Sequence, residues 1–427
     1  MFPSRRALLG LGATAAASAA LSACSSQGGS RPGTLTLWTH SAGGTDEYAV
    51  IETIANDFNA ANPGTKIQIT AFPQAVYNDS IVTAAAAHEL PDILDLDGPI
   101  MPNWAWSGYL AQLDLPTSLT DAMVDSAKGH FNGALYSVGP YDTSLCFLAR
   151  RSAFQAAGIA VPTIARPWTR DEFDAALKRL SELPDYELAV DMSVWDTAEW
   201  WPYAYAPMLQ SFGGDIIDRD TLTTADGFLN GSDAVAFGTW FRSLFADGLA
   251  SQTPGTDGTD FLQGKVPMVY AGGWKVLKAQ ETFGADEVLI LPPVDFGRGA
   301  KVGGGSWQWA VSASSKNRET ATRFIEFLMQ DDYLVMYSDA IGTYPSIESA
   351  IPGTENYGAG KPLEPVYEIG KAYALLRPAT PGYKVISSVV DKALHDIVSG
   401  ADVRKTLDQA VKDIDADIRA NDGYRAE

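Results

Sequence analysis

Between residues 34 and 97 the chain runs strand, helix, strand, helix, strand with short connections, and few folds accept that order. Leu35 and Leu37 alternate with Thr34 and Thr36, which predicts a first strand ending at Trp38-Thr39-His40. Asp46 to Ala61 carries Ile51, Ile54, Ala55 and Phe58 on one helical face, and Asn62-Pro63-Gly64 stops it. Ile67 and Ile69 mark a second strand, Val76 to Glu89 a second helix, and Asp92 to Asp97 a third strand. Strands joined by helices pair in parallel through right-handed crossovers, so an α/β fold with a largely parallel sheet is expected. The loops after strands one and three then leave the same sheet edge, and they carry His40 and Asp97.

A second helix–strand series begins after Tyr136 to Ala149, which reads as a crossing between domains. The capping box Thr169 to Glu172 opens a helix, Leu188 to Met192 reads as a strand, and Ser232 to Ala246 is a further helix. Val266 to Tyr270 is an apolar strand with Pro267 near its start. Gly272-Gly273 allows a tight turn there, and Trp274 follows at the strand's carboxyl end, where α/β proteins bind ligands. Val288 to Leu291 is a strand, and Gly303 to Trp307 and Thr343 to Ser346 are two more crossings. Arg318 to Gln330 is an amphipathic helix, and the last third is helical, with Leu407, Val411, Ile414 and Ile418 at heptad-like spacing.

The residues placed at strand ends or crossings are His40, Asp97, Asp142, Trp195, Asp196, Trp200, Trp274, Trp307 and Tyr344. They are aromatics and carboxylates, with Arg377 the one basic candidate. An aromatic face attracts the polarised C–H face of a pyranose, and an ionised carboxylate accepts two hydroxyls at once in charge-assisted bonds. The set therefore suits a neutral polyhydroxylated ligand, whereas a phosphate would call for Arg, Lys or a helix N-terminus. Several of them have an alternative reading, and Trp274 could be a core residue beside its turn. His40 could be a satisfied structural histidine, Asp97 a turn residue beside Gly98-Pro99, and Asp142 a partner for a backbone N–H at its crossing. Of Trp200 and Trp201 one ring belongs to core, because successive helical side chains point about 100° apart.

Met1 to Arg6 is a charged start, followed by an apolar run too short to span a membrane comfortably and by Leu21-Ser22-Ala23-Cys24. That run resembles the lipobox of bacterial lipoproteins. The resemblance implies removal of residues 1–23 and lipidation of Cys24, with 24–33 as a flexible tether. A diacylglyceryl group supplies two chains, enough for stable membrane anchoring. Arg5-Arg6 fits either a twin-arginine export signal or a plain basic start. Cys146 is then left to be a small buried hydrophobe. The net charge of −21 argues against nucleic acid as a partner.

Taken in order, several stretches are similar to the family 1 extracellular solute-binding proteins, the maltose/trehalose-type sugar receptors of ABC importers. They are the lipobox, Leu37 to His40, Pro91-Asp92-Ile93 with Ser107 to Leu110, Tyr141 to Leu145, and Phe212 to Asp215. Gly264 to Met268 with Gly273-Trp274, Gly303 to Trp307, the helix Glu319 to Met329 and Arg377 to Tyr383 complete the set. The likeness spans about 34–420; its order and spacing carry it, not any single motif. It implies a two-lobe periplasmic-binding-protein-like fold with three crossings and a ligand cleft between the lobes. One lobe would be 34–140 plus 308–342 and the other 141–307 plus 343–427. It also implies that Trp274 stacks on a sugar, that Asp142 accepts its hydroxyls, and that the Gly304-Gly305 backbone borders it. The expected protein is a monomeric carbohydrate receptor that closes on a mono- or oligosaccharide and delivers it to ABC permease subunits, without a cofactor.

Rival readings remain in outline. A glycoside hydrolase would use paired carboxylates, with Asp196 and Glu199 or Asp95 and Asp97 as candidates, but neither pair sits in a recognisable acid/base setting. The four histidines at 40, 88, 130 and 395 lack metal-ligand spacing, and Gly303 to Ser306 lacks the lysine of a phosphate loop. A polyol or a glycerophosphodiester is an alternative ligand.

Overall fold

The computed structural model describes residues 33–195, 199–305 and 307–424. The signal segment, Cys24, Asp196 and Ser306 lie outside the described residues. The chain opens with β1 (Thr34–Thr39), α1 (Asp46–Ala61), β2 (Lys66–Ala71), α2 (Gln74–Ala87) and β3 (Ile93–Asp97). Thr45 caps α1 by accepting from the Tyr48 amide, and Asp46 and Glu47 fill the first turn, where the helix dipole favours negative charge. Next come α3 (Met101–Trp106), α4 (Thr117–Ala122), β4 (Lys128–Phe131) and β5 (Ala134–Val138).

A two-residue strand, β6 (Tyr141–Asp142), leads into β7 (Leu145–Arg150), α5 (Arg151–Ala156) and α6 (Arg170–Ser181). The capping box at the start of α6 forms as expected, Thr169 and Glu172 each bonding the other's backbone. The helices α7 (Trp200–Phe212), α8 (Ser232–Ala246) and α9 (Thr259–Leu262) precede β8 (Met268–Gly272), α10 (Val276–Phe283), β9 (Val288–Leu291) and β10 (Val302–Gly303). The chain then returns through β11 (Trp307–Val311), α11 (Arg318–Leu328) and α12 (Asp331–Ile341), and crosses again at β12 (Tyr344–Pro345). It ends with α13 (Glu364–Tyr373), β13 (Ala374–Leu375), α14 (Tyr383–Val398) and α15 (Val403–Ala420).

The first body is built on a six-stranded sheet in the order β2-β1-β3-β11-β5-β4. Only β1, β2 and β3 run parallel; β11 pairs antiparallel with β3 and β5, and β4 antiparallel with β5. The parallel order read from 34–97 therefore covers half the sheet, because β11 enters from a crossing and not from a preceding helix. Both faces are covered, as a parallel sheet requires. Ile93 and Trp309 pack with Ile51, Phe58 and Phe324 on one side, and Leu94 and Ala310 pack with Tyr77 and Trp104 on the other.

The second body has a three-stranded antiparallel sheet, β8-β7-β9, in a core that runs from Phe147 and Phe173 through Tyr205 and Phe241 to Ile414 and Ile418. Leu188–Met192 is not a strand. Val190 and Asp191 make single bridges to Ala250 and Val269, enough to dock the segment but too few for a ladder. The strand expected over Val266–Tyr270 is shifted to Met268–Gly272, so Pro267 precedes it and Gly272 closes it. The bodies are joined by three crossings. Two of them pair with each other, β6 with β12, and Gly304 in the third bridges Ser144.

Candidate ligand-binding cleft

A cleft of about 800 Å³ opens between the two bodies, within the range of roughly 300–1,000 Å³ usual for small-ligand sites. His40, Glu47 and Gln74 line one wall, Trp274 and Leu277 the other, and Gly342 the hinge side. His40 and Trp274 are thus brought to face one space.

The end of β1 fixes His40. The Thr39 hydroxyl donates to Asp95 Oδ2 at 2.7 Å, the His40 amide to Oδ1 at 3.1 Å, and His40 Nδ1 lies 2.8 Å from Oδ2. The imidazole lies flat on the Trp307 indole, with centroids 3.4 Å apart and 8° between planes. Its Nε2 stands 3.5 Å from Glu47, which accepts from the Ser41 hydroxyl at 2.5 Å and the Tyr141 hydroxyl at 2.9 Å. Burial alone would lower the His40 pKa, but the Asp95 and Glu47 carboxylates more than offset that, and it is raised above 6.5. A raised histidine contributes stability that is fully present below its unfolded value and is lost as pH rises through its folded value. The melting advantage of the wild type over His40→Gln is therefore expected to shrink as pH is taken from 6 to 9. Calorimetry across that range checks it; a constant gap would show that His40 stays neutral.

Trp274 sits in the helical turn Gly273–Lys275 that follows β8. Its ring folds back over the strand end, where a Cβ on Gly272 would come within 2.0 Å of it, so only glycine admits this packing. The indole remains 37% exposed and meets Trp200 edge-on at 6.5 Å. Trp200 in turn meets Tyr203 at 6.0 Å, whereas Trp201 is core. The Nε1 atoms of Trp195 and Trp200 are buried and find no hydrogen-bond partner among the described residues.

Several expected site residues already hold one another. Asp142 accepts from the amides of Thr143 at 2.6 Å and Gly305 at 2.9 Å and from the Ser126 hydroxyl. Burial pushes its carboxyl up, and those three bonds draw it back. Gly305 takes φ +122°, and a Cβ on Gly304 would come within 2.7 Å of Ala374, so this crossing admits no side chain. Tyr344 pairs with Asp142 across β6 and β12, with its ring in the core edge-on to Tyr357 and Tyr367. Arg377 grips Asp97 with two bonds of 2.8 and 2.9 Å and Glu199 with one of 2.6 Å. Asp95 is thus bonded to His40 and Asp97 to Arg377, which leaves that pair unsuited to acid/base work. Among the described residues no group of three or more His, Cys, Asp or Glu could hold a metal ion.

Sequence reasoning missed Glu47, Gln74 and Leu277. For Glu47 the signal was available: it lies in the first turn of the helix that follows the His40 loop. Gln74 and Leu277 carried none, because only the closing of the two walls makes them neighbours.

Residues 53–361 match the family model described as bacterial extracellular solute-binding protein. An uncharacterized lipoprotein in the oleD 5' region of Streptomyces antibioticus is 26% identical over 312 residues, 68% of this chain. The match spans 65% of that relative's length. The diacetylchitobiose binding protein DasA of Streptomyces coelicolor is 23% identical over 357 residues, 80% of each chain. Among solved structures, an ABC substrate-binding protein of Listeria monocytogenes in complex with cycloalternan superposes with a TM-score of 0.76. It is 19% identical, and the overlay covers 90% of this chain and 99% of that one, so the two share the two-lobe fold.

Proposed function

From the premise that the chain belongs to the bacterial extracellular solute-binding proteins, we propose that it is the carbohydrate receptor of an ABC importer. It captures a mono- or oligosaccharide in the cleft and hands it to membrane permease subunits. The observation that supports this reading best is the pairing of walls. A partly exposed Trp274 stands opposite a His40–Glu47–Asp95 cluster, which is a stacking face set against acceptors and a donor. In this reading Trp274 stacks on the sugar, His40 and Glu47 bond its hydroxyls, and Trp195, Trp200 and Trp307 enclose it. Asp97, Asp142, Tyr344, Arg377 and the Gly304-Gly305 backbone form the floor beneath. The lobes are 34–140 plus 308–342 and 141–307 plus 343–427, and a lipid on Cys24 tethers them to the outer face of the cytoplasmic membrane.

A thermal-shift screen of the chain from Ser25 onward against sugars, polyols and glycerophosphodiesters, with product analysis on each hit, tests the assignment. A saccharide at 100 times its dissociation constant should stabilise by about 2.7 kcal/mol, a shift of a few degrees. An intact saccharide as the hit is the expected result. A consumed one makes the protein a hydrolase, and stabilisation by phosphodiesters alone overturns the sugar reading.

A further inference from the structure

The imidazole of His40 stands between two carboxylates. Asp95 Oδ2 lies 2.8 Å from Nδ1, and Glu47 Oε2 lies 3.5 Å from Nε2. An ionised carboxylate only accepts, so Nδ1 keeps its proton whether the ring is charged or neutral. Trp307 covers one face of the ring, with centroids 3.4 Å apart, and Tyr77 meets it edge-on at 6.3 Å. The ring cannot turn over without losing Asp95. Nε2 is therefore the atom that changes: it carries a donor proton in the charged ring and a lone pair in the neutral one.

Glu47 faces that atom as an acceptor in both states. Its Oε2 takes the Ser41 hydroxyl at 2.5 Å and its Oε1 the Tyr141 hydroxyl at 2.9 Å. A carboxylate has about four acceptor positions, so capacity remains. His40, Ser41 and Glu47 all line the cleft. The 3.5 Å between Nε2 and Oε2 is long for a hydrogen bond, and a hydroxyl oxygen set beside the gap reaches both atoms at ordinary bonding distance. One hydroxyl has one proton. Beside the charged ring it accepts from Nε2 and donates to Glu47, and every group is satisfied. Beside the neutral ring it meets two acceptors and serves only one, which leaves the other buried without a donor.

We infer that His40 and Glu47 form a donor–acceptor clamp for a single hydroxyl of the solute, and that the clamp works only with His40 charged, so that capture is linked to a proton. This rests on the reading of the cleft as a saccharide site and adds a control of that site by pH. Burial works against the charged ring, and Asp95, Glu47 and more weakly Asp97 outweigh it, so its pKa lies above 6.5. Asp97 is itself paired with Arg377. Tyr77 and Tyr141 carry no charge, because burial pushes both hydroxyls up. Asp46 stands exposed at the rim, and across the cleft Asp257 and Glu281 are each paired with a lysine, Lys275 and Lys278. Affinity is then highest below the folded pKa of His40. It falls as pH rises through that value, by up to about tenfold per pH unit, the slope of one linked proton.

Titration calorimetry from pH 6 to 9 tests this with the saccharide that most stabilises the chain in the thermal-shift screen. The wild type is expected to lose affinity as pH rises. Near the upper end it should take up a proton on binding, seen as a heat that differs between phosphate and Tris buffers. His40→Gln keeps an N–H donor and cannot titrate, so its affinity should be weaker at pH 6 and flat across the range. A slope that persists in His40→Gln belongs to another group, such as Asp191, whose carboxyl burial pushes up to about 6, and overturns the clamp. If His40→Gln fails to fold, the wild-type slope and proton uptake still decide. Long-range proton–nitrogen spectra of the free protein with isotope-labelled histidine give a second readout. Nδ1 of His40 should stay protonated throughout while Nε2 loses its proton, and a neutral ring with its proton on Nε2 overturns the clamp. If no saccharide stabilises the chain, the receptor reading fails and the clamp with it. A stabilising saccharide with equal affinity at pH 6 and 9 overturns the clamp alone.

Discussion

Replacing Asp95 with alanine is expected to destabilise the first lobe by about 3–5 kcal/mol, because each buried polar group left without its partner costs about 1–3 kcal/mol. Asp95 is 2% exposed, and its carboxylate takes the Thr39 hydroxyl, the His40 amide and His40 Nδ1. Alanine leaves all three donors buried without an acceptor. At roughly 2–4 °C per kcal/mol for a lobe of this size, the melting midpoint should fall by about 10 °C. Differential scanning calorimetry is the suitable readout, because two lobes can melt separately and one midpoint would blur them. A loss below about 1 kcal/mol would mean that the imidazole turns to Glu47 at little cost, and the His40 anchor would need redrawing.

Trp274→Ala is the second large effect, and it falls mainly on affinity. The ring is 37% exposed at the cleft but packs over Gly272 and beside Trp200, so its removal should also lower the melting midpoint of the free protein by a few degrees. A stacked sugar covers on the order of 100 Å² of such a ring, worth about 2.5 kcal/mol at 25 cal/mol per Å². Loss of the face should weaken the ligand found by the screen roughly 50- to 100-fold in titration calorimetry. Less than about a threefold change would place the sugar elsewhere in the cleft.

Much of this was legible before any coordinates. Period-two and period-3.6 patterns located β1, α1, α8 and β9 with few errors, because local propensity and burial agree there. The paired character of Asp97 and Arg377 was not legible. Nothing local to Asp97 announces a guanidinium far along the chain, and both residues read singly as ligand contacts. Asp142 was left between two roles, and its bonds to Thr143, Gly305 and Ser126 place it at the crossing whatever else it touches. Leu188–Met192 misled for the opposite reason. Its composition suits a strand, but its neighbours offer only single bridges.

The pairing of β3 with β11 has a consequence for how the chain is made. Trp307 lies opposite Asp97, so the central ladder of the first lobe closes only after most of the polypeptide has been synthesised. The second lobe waits longer still, since Ile414 and Ile418 of the last helix complete its core. No prefix of the translated chain can complete either interior, and pairings this distant in sequence fold slowly. A nascent chain therefore stays open through most of translation, which is the state in which a thread-like export channel could take it.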